Sequence, residues 1–130
     1  MVFFDAISTG HRGYATVHAD SSVSTIDRLV TLMKRDSKAQ TYTDKYLRKL
    51  LASSLDLIIY MNNFKVQEIV EVEYDEESED IIYNSLYEFK LDKYENGKSI
   101  GKFKKVNKLL GRAKRKIDLN KLEIERIMKC

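Results

Sequence analysis

The spacing of apolar residues changes once along this chain, and that change limits what the chain can fold into. Leu55-Asp56-Leu57-Ile58-Ile59-Tyr60 is almost uniformly apolar, as a strand covered on both faces reads. Further on, Val70, Val72 and Tyr74 alternate with Glu71 and Glu73, and Tyr87, Phe89 and Leu91 alternate with Glu88 and Lys90. Successive strand side chains point to opposite faces, so each of these runs has one wet face. The charged stretch Asp75-Glu76-Glu77-Ser78-Glu79-Asp80 between them reads as a hairpin loop. Residues 64–91 are therefore expected to form an antiparallel β hairpin laid on the edge of a sheet. Asn96-Gly97 marks another turn, and residues 100–106 a further short strand.

Ahead of the apolar run the spacing is helical. Ile26, Leu29, Val30 and Met33 predict an amphipathic helix over residues 24–36, with Ser24 three residues before Asp27 as a capping pair. Thr43 caps a second helix whose buried stripe is Tyr46, Leu47, Leu50 and Leu51. Tyr14 to Ala19 is a short β-prone run between Gly13 and Asp20-Ser21-Ser22, expected to be a buried strand. Val2-Phe3-Phe4-Ala6-Ile7 reads as the last turns of a helix that Gly10 ends, so Met1 reads as an internal or truncated start. At the other end, Leu109-Leu110 and Leu119-Leu122-Ile124-Ile127 predict two short helices. Helix, strand, helix, helix, strand is the order of an α/β layer architecture. Three regions follow: a core over residues 1–62, the hairpin over 63–95 and a basic tail over 96–130.

Composition excludes several classes. With 43% hydrophobic and 33% charged residues the chain is neither disordered nor fibrous. No apolar run approaches the roughly 18 residues that a membrane crossing needs, and the N-terminus does not read as a signal peptide. A single cysteine, Cys130, leaves no internal disulfide or cysteine metal site and suits a reducing cytoplasm. Net charge is +3 but unevenly spread: residues 68–80 are acidic, whereas Lys98 opens a strongly basic stretch. Such asymmetry can mark a nucleic-acid or anionic-membrane contact, but is read more simply as a solvated basic tail or a face meeting an acidic neighbour.

Few residues present themselves for chemistry. Gly97-Lys98-Ser99 matches the end of a phosphate-binding loop, but its first glycine would fall on Asp92 and no buried strand leads into it. It reads as a turn. His11 and His18 are the only histidines and stand seven residues apart, which is not a zinc spacing. His11 lies in a glycine-flanked turn, and His18 is expected at the carboxyl end of the strand over 14–19, where ligands bind in open α/β sheets. An imidazole there can bond a phosphate oxygen or an ordered water, and its unperturbed pKa of roughly 6.5 lets its charge change with the ligand.

The stretch Thr9-Gly10-His11-Arg12-Gly13-Tyr14-Ala15-Thr16-Val17-His18-Ala19-Asp20 resembles the "His box" of the type II/type IV secretion ATPase superfamily, most closely its CpaF-type pilus and conjugation members. The likeness continues through Ile26-Asp27-Arg28-Leu29, Leu55 to Met61, Glu68 to Val72 and Ile81 to Phe89, covering roughly residues 3–91. The basic remainder is similar in character only. The resemblance implies the C-terminal part of a RecA-like P-loop NTPase sheet with an added antiparallel hairpin and short C-terminal helices. It also implies a cytoplasmic homo-hexamer, peripheral at the cytoplasmic membrane beside inner-membrane secretion components, using ATP and Mg²⁺ to drive macromolecule transfer. By the same resemblance His18 senses the γ-phosphate or the attacking water and His11 braces the turn beside it. Thr9, Gly10, Gly13 and Thr16 shape that nucleotide-sensing turn, and Arg28 is an ion-pair or inter-subunit residue.

Phosphoryl transfer needs a phosphate-gripping lysine and acidic residues on Mg²⁺, and the chain shows neither. It is expected not to bind or hydrolyse ATP alone, and to be a fragment, a decayed gene product or a subunit that relies on a missing N-terminal NTPase half. The alternative is a nonenzymatic module whose basic tail holds nucleic acid or an anionic membrane. A poorly folded remnant that self-associates is the third reading.

Overall fold

A computed structural model of the chain describes residues 13–129. The helix expected at Val2–Ile7, with Gly10 at its end, lies outside the described residues. The first described helix, α1 (Ser22–Met33), is capped by Ser21. The Ser24 amide donates to Ser21 Oγ at 3.0 Å and the Ser21 amide donates to Ser24 Oγ at 2.9 Å, a reciprocal capping box. The cap thus pairs Ser21 with Ser24 where Ser24 and Asp27 were expected, and the helix begins and ends earlier than 24–36. A polar turn leads to α2 (Asp44–Ser54), where the Tyr46 amide donates to the predicted cap, Thr43 Oγ1, at 3.2 Å.

Four strands follow: β1 (Leu57–Asn62), β2 (Lys65–Asp75), β3 (Asp80–Glu95) and β4 (Lys98–Lys105). Among the described residues they form one antiparallel meander in the order β1-β2-β3-β4. The chain is thus α/β, and β2 with β3 is the hairpin that the alternation predicts, though it forms the middle of this sheet and not its edge. The turn between β3 and β4 places Asn96 at φ 50° and Gly97 at φ 72°. Two consecutive left-handed residues match the right-handed twist of a hairpin, and Asn-Gly adopts them at least cost. Gly97-Lys98-Ser99 is accordingly a hairpin turn running into β4.

One face of the sheet builds the core. Ile58 pairs with Val70 and Val72 with Tyr83. Ile58, Val72 and Ile81, with Tyr74 and Tyr83, pack against Ile26, Val30 and Met33 of α1 and Leu47 and Leu51 of α2. Ile26, Leu47 and Leu51 are fully buried, and each such side chain contributes about 1.5–3 kcal/mol through its burial.

The opposite face is met at Glu71 and Glu73 by residues 110–112 but is left open over β1, which corrects the reading of residues 55–60. β1 is an outer strand, and only Ile58 of its apolar run is buried, while Leu57 and Ile59 remain 43% and 57% exposed. An apolar run shows that both faces tolerate burial, not that both are covered. The C-terminus also differs from expectation. A single helix, α3 (Arg112–Met128), replaces two short ones, and Leu109-Leu110 belongs to the connection before it. No helix of the described residues is long and apolar enough to cross a membrane.

Candidate functional site

Thr9, Gly10 and His11 lie outside the described residues. Gly13, Thr16 and His18 are exposed in the connection that leads to α1. Residues 14–19 are not a strand, so His18 does not stand at the carboxyl end of one; this corrects the sequence expectation. A β-prone run becomes a strand only where a neighbour supplies its ladder, and none pairs with it among the described residues. Arg28 is exposed on α1, and no ion pair among the described residues reaches it. His18 and Arg28 are therefore not gathered into a common polar site by the described residues.

The structure instead assembles a polar cluster where the start of α3 meets the sheet. Gly111, the cap residue of α3, offers no side-chain oxygen to the free amides of the first turn. Two carboxylates from β2 hold this end instead, Glu73 at the first amide of the helix and Glu71 at the two amides just ahead of it. Glu71 accepts from the amides of Gly111 at 2.7 Å and Leu110 at 3.0 Å, and from Asn84 Nδ2 at 3.0 Å. Glu73 accepts from the Arg112 amide and faces Arg115. Negative charge at a helix N-terminus is favourable because the amide dipoles point their positive ends there. A Cβ on Gly111 would push aside the Glu73 carboxylate, the end of a flexible side chain.

Arg112 then fastens the other side. Its Nε donates to Asp56 Oδ1 at 2.9 Å, and its terminal nitrogens donate to the carbonyls of Ser53, Ala52 and Leu55 at the end of α2. Lys116 donates to Asp56 Oδ2 at 2.7 Å. One guanidinium thus satisfies carbonyls that the helix end leaves free.

Burial pushes the Glu71 carboxyl up, but the Leu110 amide, Asn84, the Gly111 amide and the Arg115 charge outweigh it and hold it below the ordinary value. Asp56 behaves alike: desolvation raises it, and Lys116 and Arg112 bring it below the usual range. Carboxyls held ionised and engaged in hydrogen bonds are poor proton donors near neutral pH. The arrangement fastens a helix and does not resemble an acid–base pair. Beside it lies an open cleft of about 140 Å³ lined by Ser53, Glu73, Tyr74, Glu76, Arg112 and Arg115.

Comparison with protein-family models, curated proteins and solved structures finds no match. Among the described residues, no group of three or more His, Cys, Asp and Glu side chains is arranged to hold a metal ion.

Two features escaped the sequence reading. Alternation already put Glu71 and Glu73 on one face of β2, but nothing in the local pattern showed that residues 110–112 return to them. Tyr87, Phe89 and Phe103 likewise look scattered along the chain. The register sets Phe89 opposite Phe103 and Tyr87 opposite Lys105 on the uncovered face.

Proposed function

We propose that the chain is the C-terminal segment of a hexameric, RecA-like secretion, pilus-assembly or conjugation ATPase. In that assembly ATP hydrolysis at the cytoplasmic face of the membrane is coupled to macromolecule transfer. The observation that carries the reading is the box from Thr9 to Asp20, with two histidines and two glycines at the family's spacing. The elements that follow support it: two capped helices and then an antiparallel hairpin fall on the stretch over which the likeness runs.

In this reading the phosphate-gripping lysine and the Mg²⁺ ligands come from another segment or subunit. His18, exposed ahead of α1, is free to face such a neighbour. A neutral imidazole there accepts a proton from, or orients, the attacking water, and an imidazolium stabilises charge on the γ-phosphate. The resemblance gives His11 and the glycines beside it the part of shaping the turn next to His18.

The test joins the chain to the coding sequence upstream of Met1 and measures binding of a fluorescent ATP analogue and ATP hydrolysis. The joined protein should do both. His18→Ala should lower the hydrolysis rate by about 100-fold or more while nucleotide affinity changes little. Absence of a phosphate-binding loop upstream, together with absence of nucleotide binding, would overturn the proposal.

A further inference from the structure

We infer that the uncovered face of the sheet, around Tyr87, Phe89 and Phe103, binds single-stranded nucleic acid. The inference stands apart from the ATPase reading and uses none of the residues of its box, Thr9 to Asp20. It starts from the register. Ile69 pairs with Tyr87, Phe89 with Phe103, and Tyr87 with Lys105. Directly paired residues share a face, and this face is the reverse of the one that Val70 and Val72 turn toward the helices.

The rings are held in place. Tyr87 and Phe103 lie parallel to within 4° with centroids 5.6 Å apart. Phe89 reaches across to β4, where Gly101 leaves it room: a Cβ there would stand 2.7 Å from the Phe89 ring. Phe103 remains 43% exposed and Leu91 58%. Large apolar side chains are seldom presented together in this way without a partner. Aromatic rings ordered on adjacent strands are what unpaired bases stack upon, and stacking tolerates any base.

Charge decides between nucleic acid and an apolar protein surface. Between Lys98 and Lys116 the sequence carries nine basic side chains and no acidic one; Arg112, Arg115 and Lys116 are held by Asp56 and Glu73, which leaves Lys98, Lys102, Lys104, Lys105, Lys108 and Lys114. Lys105 stands beside Tyr87 on the ring face, and Lys65 Nζ lies 6.0 Å from the Phe89 centroid. Lys102 and Lys104 project from the outer strand on the reverse side, and no carboxylate pairs with either among the described residues. Two of the acids nearby are already engaged, Glu88 with Lys90 at 2.6 Å and Glu95 with Lys93 at 2.8 Å, while Asp92 beside Leu91 stays exposed. Glu71, on the same face, has its oxygens committed to α3 and Asn84. Rings with Lys105 and Lys65 beside them, on an outer strand whose other side carries Lys102 and Lys104, suit a ligand that offers both π-faces and phosphates.

The test is fluorescence anisotropy of the full chain with a labelled oligothymidylate of about 12 nucleotides. Binding should saturate and weaken steeply with salt. Phe103→Ala should weaken it by about tenfold with the salt slope unchanged. The paired change Lys102→Glu and Lys104→Glu should both weaken binding and flatten the slope. Phe103→Leu keeps the face apolar and serves where Phe103→Ala unfolds; it should weaken binding as well. Four results would each overturn the inference: no saturable binding, binding indifferent to Phe103, equal affinity for a duplex of the same length, or tighter binding to phosphatidylserine vesicles. Self-association that Phe103→Ala abolishes without any oligonucleotide present would overturn it in favour of a second copy on this face.

Discussion

Glu71→Ala should loosen the start of α3, because its carboxylate holds the Leu110 and Gly111 amides that lead into the helix, beside Glu73 on the Arg112 amide. Glu71 is only 2% exposed and accepts three hydrogen bonds of 2.7–3.0 Å. Hydrogen bonds to a charged group contribute about 1.5–3 kcal/mol each. The full sum does not apply, since burying the carboxylate is itself unfavourable and the exposed Leu110 amide regains water. Gly111 is buried, and its amide keeps the cost of being unpaired. The net loss should be about 3 kcal/mol, or roughly 10 °C in Tm for a domain of this size.

The same group sets a pH dependence. Its pKa is lowered in the folded state, so its contribution is present above the unfolded carboxyl value of about 4.3 and is lost as pH falls through the depressed one. Glu71→Gln keeps one acceptor oxygen and removes this part of the acid sensitivity. Thermal melts at neutral and acid pH, with amide exchange at residues 110–115, measure both effects. Stability within about 0.5 kcal/mol of the parent and unchanged exchange in Glu71→Ala would refute the capping role.

Other consequences follow from single positions. Leu47 is fully buried between α2 and the sheet, so Leu47→Ala should cost about 2–4 kcal/mol in a urea titration. Gly97 sits at φ 72° with nothing within 4 Å of where a Cβ would stand. Gly97→Ala should therefore cost about 1 kcal/mol through backbone conformation alone, visible as a small shift in urea midpoint. His18 is exposed, so His18→Ala should leave Tm within about 1 °C of the parent. A large loss of stability there would place His18 in a packing role.

Period and punctuation carried much of the fold. A helix can be read from Ile26, Val30 and Met33 because its neighbours on one face are three or four residues apart. A hairpin can be read from Val70, Val72 and Tyr74 because strand side chains alternate. The Thr43 cap and the Asn96-Gly97 turn are equally local, each set by the conformations a few residues favour. The error at 14–19 has the opposite origin: β propensity says what a segment tolerates, while a strand exists only beside a partner. His18 keeps its place in the box, but the site it would serve depends on neighbours that the box does not contain.

The amino-acid pattern by itself determined α1, α2, the hairpin and the sign of each charged stretch, since these depend on residues close in sequence. Only the tertiary structure decided what those elements meet. Folding brings Arg112 to Asp56, Glu71 to Gly111 and Phe89 to Phe103 across separations that local periodicity does not register. The uncovered apolar face of β1 and the capped start of α3 are properties of that meeting.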